Sequence, residues 1–269
     1  MQRLLTLLAL VTLSSGAMAG CSKSGGQNAG PSDRLRIAIN INPMQLNPIL
    51  PQNTMENFID GLIFDVLVTQ DEHHNQVPDL ASVVPTLENG GISKDGLTIT
   101  YHLRHGVTWH DGAPFTSKDV TFTWRAILNS ANNVLSRRGY DQVVAMDTPD
   151  DYTVVMHMRR AYAPAIDTIF GESDTILRVL PAHLLAKYPN LNQIPFNAAP
   201  VGTGPYRFVR WQRSDRIVLT ANPAYFRGTP KLKRLTLMII PDDNTTEAQI
   251  RSGEVDLAME IPAPVYRGI

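Results

Sequence analysis

His73-His74, His102, His105 and the pair His110-Asp111 are the groups best suited to hold a metal or move a proton near neutral pH. A zinc site needs several such ligands converging with tetrahedral geometry. His102 and His105 follow a run with strand alternation and stand an odd number of residues apart, so they are expected on opposite faces. His73-His74 lies in the polar stretch Gln70 to Gln76, expected as an exposed turn. Structural or solvated histidines are therefore favoured over a metal site, and no cofactor is expected. Hydrolysis finds no better support. Neither G-x-S-x-G nor H-E-x-x-H occurs, and Asp150-Asp151 and Asp242-Asp243 sit where aspartate bends and caps backbone. Gly202-Thr203-Gly204 is a poor phosphate cradle, because Pro205 lacks the N–H needed at the next position. Its glycines are expected to allow a tight turn with positive φ.

The elements that must position these residues form a mixed α/β chain. Leu35, Ile37, Ile39 and Ile41 alternate over a first strand, 34–41. Phe58, Leu62, Ile63 and Val66 recur at helical spacing across 55–66. Leu97, Ile99, Tyr101 and Leu103 alternate with polar residues as a half-buried strand, broken at His105-Gly106. Asp111-Gly112 then Pro114 marks a second turn, and Thr116 with Asp119 makes a capping box for a helix running through Trp124 toward Leu128. Further on, a strand is expected at 152–158 and a short helix at 181–188. A hairpin follows at 206–211 and 217–221, then a strand at 235–240, a helix at 245–251 and a strand at 255–259. Trp124 shares a helical face with Val120 and Ile127 and is assigned to the core, while Trp211 could serve core or ligand.

The first twenty residues read as a secretory signal peptide: Arg3, an apolar Leu4 to Leu13, then small residues. Ala17-Met18-Ala19 would suit ordinary cleavage, and Met18-Ala19-Gly20-Cys21 resembles the lipobox of bacterial lipoproteins. Cys21 is the only cysteine, so it has no internal disulfide partner, and lipidation explains it. Residues 21–33 are then a lipidated flexible linker. Formal net charge is -1, with 43% hydrophobic and 18% charged residues. That composition supports a packed core and offers no basic stripe for nucleic acid. After the leader, no apolar run is long enough for a transmembrane helix.

Five blocks stand in order along the chain: Leu46-Asn47-Pro48, Trp109-His110-Asp111-Gly112 through Asp119-Val120, Gly202-Thr203-Gly204-Pro205-Tyr206, Asn222-Pro223-x-Tyr225, and Ser252-Gly253-Glu254-x-Asp256. Together they resemble the family 5 extracellular solute-binding proteins. Asn47 stands where Asp is commoner. The resemblance implies an α/β, periplasmic-binding-protein type II-like lobe with an inserted α+β subdomain, the second lobe missing from this chain. By that analogy 34–54 and 191–269 form the incomplete first lobe and 55–190 the insertion. It also implies a receptor rather than an enzyme, binding peptides or another small solute for an ABC permease, on the periplasmic side and held to the membrane by its lipid, or soluble in the periplasm. A nickel or metal-chelate receptor and an envelope hydrolase are the alternatives. The expected ligand-facing residues are Asn40, Asn42 and Met44 after the first strand, and Gly202, Thr203, Gly204 and Tyr206 at the turn. The WHDG segment is expected to hold a strand against a helix rather than touch solute.

Overall fold

The structure, a computed structural model, describes residues 33–50, 53–173 and 175–259. The leader, Cys21 and the last residues lie outside that set. In chain order the elements are β1 (Arg34–Ile39), α1 (Thr54–Ile63), β2 (Val68–Gln70), β3 (Gln76–Pro78), β4 (Thr98–His102) and α2 (Ser117–Leu128). There follow β5 (Val143–Asp150), β6 (Thr153–Met158), α3 (Ala165–Thr168) and α4 (Ala182–Leu185). The chain continues with β7 (Tyr206–Gln212), β8 (Arg216–Ala221), β9 (Arg234–Ile239), α5 (Asp243–Ser252) and β10 (Leu257–Ala258).

A five-stranded sheet runs in the order β10-β1-β9-β8-β7. β1 is parallel to β9 and β10, and β8 and β7 extend the sheet antiparallel. The alternation in β1 predicts one buried face, but Ala38 is buried as well as Ile37 and Ile39. Met238, Ile250 of α5 and Ala258 pack around Ala38, so both faces of this central strand are covered. The strand closes at Ile39, whose carbonyl accepts the Ile240 N–H at 2.9 Å, and the chain then bends into a loop.

The second sheet, β4-β6-β5, is antiparallel. Ile99, Tyr101 and Leu103 are buried as their alternation requires, whereas Leu97, one residue before β4, is 39% exposed at the end of the ladder. β5 has no counterpart among the expected strands. It is an edge strand with two register shifts and Pro149 near its end, and these break its alternation. α2 begins at the expected cap, with the Thr116 N–H donating to Asp119 Oδ2 at 2.9 Å. Its Val120 and Ile127 are buried, and Trp124 is half-buried with its indole N–H toward the Tyr140 carbonyl at 3.4 Å.

α1 joins the two sheets. Ile59 and Ile63 belong to one apolar core that runs from Ile37, Leu219 and Leu237 to Tyr101, Ile127 and Met156. The helix stops at Ile63 rather than Val66, because the Ile63 carbonyl is taken by the Gly204 N–H at 2.8 Å. No helix among the described residues is long and apolar enough to cross a membrane.

Candidate functional site

The sequence blocks meet around the end of α1. His110 donates its backbone N–H to the Gly202 carbonyl at 2.8 Å. Its ring accepts the Gly202 N–H on Nδ1 at 3.2 Å and contacts the Gly204 carbonyl through Nε2 at 3.0 Å. Only a neutral ring carrying its proton on Nε2 satisfies both contacts. Burial, opposed by the Gly204 bond, pushes the His110 imidazole down to about 4, which keeps that form at neutral pH. Gly112 completes the WHDG turn with φ +93. The glycines of the facing turn serve a different purpose from the one expected. Neither has a positive φ among the described residues. A Cβ on Gly202 would lie 1.9 Å from the Ile63 carbonyl oxygen, and one on Gly204 would lie 2.6 Å from the Ile63 carbonyl carbon. They are glycines because two backbones touch.

Beneath this contact lies a buried charge network. Asp65 accepts from the Thr203 hydroxyl at 2.6 Å and the Tyr225 hydroxyl at 3.1 Å. Asp79 accepts the Val66 N–H at 3.2 Å and lies 3.0 Å from the Arg227 guanidinium. Buried Arg178 donates to Asn57 at 2.7 Å. Burial, then the charge of Asp65, pushes the Asp79 carboxyl up to about 7; burial raises Asp65 too, against its two hydroxyl donors. Asn222 adds a further tie, donating to the Gly204 carbonyl at 3.1 Å while accepting from Arg207 at 2.8 and 3.0 Å. These side chains are spent on one another. They build a joint rather than a reaction centre.

Solvent-facing chemistry lies elsewhere, on the loop after β1. Met44 donates its backbone N–H to Glu56 Oε1 at 2.6 Å, and Arg213 Nη1 reaches the Pro43 and Met44 carbonyls at 3.2 and 3.0 Å. The Met44 side chain is 81% exposed. Glu56 is the third residue of α1 and also accepts the Asn53 N–H at 3.0 Å, while Asn53 Oδ1 caps the Glu56 N–H at 2.9 Å. Beside this same first turn of α1 opens a hollow of about 440 Å3 that includes Asn53, Asn57 and Leu135. It shares Thr175 and Leu177 with a second hollow of about 230 Å3. Arg138 lines that second hollow, its guanidinium without a hydrogen bond or ion pair among the described residues. The described lining mixes amides, hydroxyls, apolar carbons, the Arg138 cation and the carboxylate of Asp167, which accepts from Gln76 at 2.6 Å. Such a groove can bind a small polar solute but holds no nucleophile paired with a base.

Residues 75–267 match the family model described as bacterial extracellular solute-binding proteins, family 5 middle. The chain belongs to that family. Protein XP55 of Streptomyces lividans is 34% identical over 260 residues, covering 94% of this chain and 44% of that protein. The oligopeptide-binding protein AppA of Bacillus subtilis, solved with a nonapeptide, matches at TM-score 0.79 and 26% identity, over 87% of this chain and 45% of that one. NikZ of Campylobacter jejuni, solved in complex with Ni(L-His), matches at TM-score 0.74 and 30% identity, over 84% of this chain and 43% of that one. The fold is thus of the type II periplasmic-binding-protein class, and the chain spans less than half the length of these relatives. The family is one of solute-binding proteins, and AppA is named an oligopeptide-binding protein.

In this family 5 chain the residues singled out from sequence do not form one cluster. Asn42 is exposed and exchanges hydrogen bonds with Ser214 at 3.3 and 3.4 Å, Met44 is exposed, and Asn40 is half-buried. Gly202, Thr203, Gly204 and Tyr206 are buried, with the Thr203 hydroxyl and the Gly202 and Gly204 amides given to protein partners. Asp111 pairs with His183 Nε2 at 2.8 Å, not with His110. The expectation for His102 and His105 fails: β4 ends at His102, strand parity does not reach His105, and both line one hollow, His105 stacked on Tyr152 at 3.9 Å between ring centroids. Among the described residues no group of three or more His, Cys, Asp or Glu is placed to hold a metal. Glu56 was missed although Asn53-x-x-Glu56 is a readable capping box. Asp65, Asp79 and Arg178 carry no local signal, since only their burial makes them notable.

Proposed function

We propose that this chain is part of the substrate-binding component of an ABC importer, capturing peptides in the cell envelope and presenting them to a membrane permease without chemical turnover. One observation carries the reading: a loop with its backbone pinned by charged side chains presents Met44 to solvent, and the helix turn that holds it also borders a hollow adjoining the one that holds Arg138. Likeness to AppA, solved with a nonapeptide, supports a peptide as the solute. Arg138 would take a carboxylate, and the amides and hydroxyls along the groove would pair with peptide backbone, with water filling the gaps. Asn42 and Met44 are then the solute-facing members of the expected set. Asn40 supports the loop, and Gly202, Thr203, Gly204 and Tyr206 act behind it as the frame. The same reading keeps 34–54 and 191–269 as one lobe, 55–190 as its insertion, and Cys21 as the lipid anchor following a cleaved leader.

Likeness to NikZ, solved with Ni(L-His), favours a second reading, a metal-chelate receptor. Calorimetry with an equimolar mixture of synthetic tri- to pentapeptides, run beside nickel with excess histidine, separates the two. Heat from the peptides, reduced at least tenfold in affinity by Arg138→Ala, is the expected result. Saturable uptake of nickel-histidine with no response to peptides would replace the first reading with the second. For the anchor, mass spectrometry of the protein isolated from membranes should show a diacylglyceryl mass on Cys21, absent in Cys21→Ser.

A further inference from the structure

We infer that Arg213, at the tip of the β7–β8 hairpin, is a positioning residue that latches the Met44 loop in the shape it presents to solute; this rests on reading that loop as solute-facing. The backbone bonds that close the hairpin do not involve the Arg213 side chain. The last rung pairs Gln212 with Arg216, and the turn is closed by the Asp215 N–H on the Gln212 carbonyl at 3.1 Å. The guanidinium instead lies over the Trp211 ring, 3.4 Å from its centroid, and from there reaches the Pro43 and Met44 carbonyls. An aromatic seat under a planar cation fixes its direction at low entropic cost.

The tip is shaped to bring that cation to the loop. Ser214 has φ +58, the left-handed conformation taken at the third position of the Gln212–Asp215 turn. Its N–H and hydroxyl are the groups engaged by the Asn42 amide. From the other side Glu56, buried on α1, takes the Met44 N–H. The Pro43–Met44 peptide unit therefore meets Glu56 at its N–H and Arg213 at its C=O, aligned with its dipole, while the Met44 side chain stays in water. Glu56 also serves α1 as a cap, so the part of the clamp dedicated to the loop is Arg213.

Hydrogen exchange by mass spectrometry on the 269-residue chain tests this directly. In Arg213→Ala, peptides covering 42–46 should exchange about tenfold faster, while those covering β8 and β9, and the Tm, stay unchanged. Arg213→Lys should fall between, because a point charge reaches one carbonyl but loses the planar stack. Unchanged exchange in 42–46 would overturn the latch, and so would faster exchange spread through the whole hairpin, which would make Arg213 a general stabiliser. The same variants go into calorimetry with the peptide mixture. Weaker binding by Arg213→Ala, partly restored by Arg213→Lys, supports positioning for solute. A loop freed in exchange with unaltered peptide affinity upholds the latch and sinks the solute-facing reading of the loop.

Discussion

At the residue scale, His110 and Gly202 show how a motif that looks chemical does structural work. The ring of His110 is a two-sided connector whose donor and acceptor both face backbone of the opposite turn. Replacing it with alanine leaves the buried Gly202 N–H without a partner and takes one of two donors from the Gly204 carbonyl, which keeps Asn222, and a loss of about 1–3 kcal/mol in urea unfolding is expected. Gly202→Ala is the harsher change. A Cβ at 1.9 Å from a backbone oxygen cannot be relieved by a side-chain rotation, so the end of α1 must move. The expected cost is about 3 kcal/mol or more, read as loss of soluble protein or a collapsed melting curve. A wild-type-like melt for Gly202→Ala would show that the two backbones have room between them.

At the element scale, α1 is the piece on which both sheets depend. Its start is secured by Asn53 and Glu56, its end by the carbonyl that Ile63 gives to Gly204, and its middle by Ile59 and Ile63 in the core. Glu56→Ala removes half of the capping box and the partner of the Met44 N–H together. About 1–2 kcal/mol of stability should be lost, with faster exchange at Met44; Asn53→Ala should cost about 1 kcal/mol and leave the Met44 amide protected. Equal exchange at Met44 in the two variants would mean that the cap alone holds the loop. α5 is built by readable rules, with Asp242 capping the Thr245 N–H at 2.8 Å and Gly253 ending the helix at φ +75. Its following segment is tied back to β1 by Arg36, which grips Asp256 at 2.8 and 3.1 Å.

At the scale of the whole molecule, stability against pH is set by opposing buried groups. Asp79, at about 7 in the folded state, lies above the ordinary carboxylate range, so as pH falls through 7 the folded form takes up a proton that the unfolded form does not. Stability rises, and Asp65 acts in the same direction. His110, at about 4, lies below the ordinary imidazole value, so between 6.5 and 4 the unfolded form takes up the proton first and stability falls. The wild type should change little between pH 7.5 and 5. Asp79→Asn should lose stability on acidification relative to wild type, and His110→Gln should gain it, each by on the order of 1 kcal/mol per pH unit crossed. Urea melts at the two pH values check this, and parallel profiles for all three proteins would refute it.

Much of the fold could be read from local pattern, because strands, caps and turns are short-range events. The alternation of Ile99, Tyr101 and Leu103, the Thr116 cap and the Arg213–Asp215 hairpin turn each follow from a few neighbouring residues. β5 could not be read so, since its strand character comes from pairing with β6 across a broken register. The family resemblance, not a local signal, named Asn42, Met44 and Gly202 to Gly204 together; that Asn42 and Met44 are exposed while Gly202 to Gly204 turn inward is decided by packing alone.

What the sequence determined by itself was the order of the strongly patterned elements, the family blocks and the residues available for contact, all fixed by patterns over a few positions. What only the tertiary structure decided was the use of those residues: that Asp65 meets Thr203 and Tyr225, that His110 bridges to Gly204, and that Arg213 reaches Met44. These partners lie from 94 to 169 residues apart in the chain. Their distances, and the burial that shifts their protonation, exist only once the core has closed around α1.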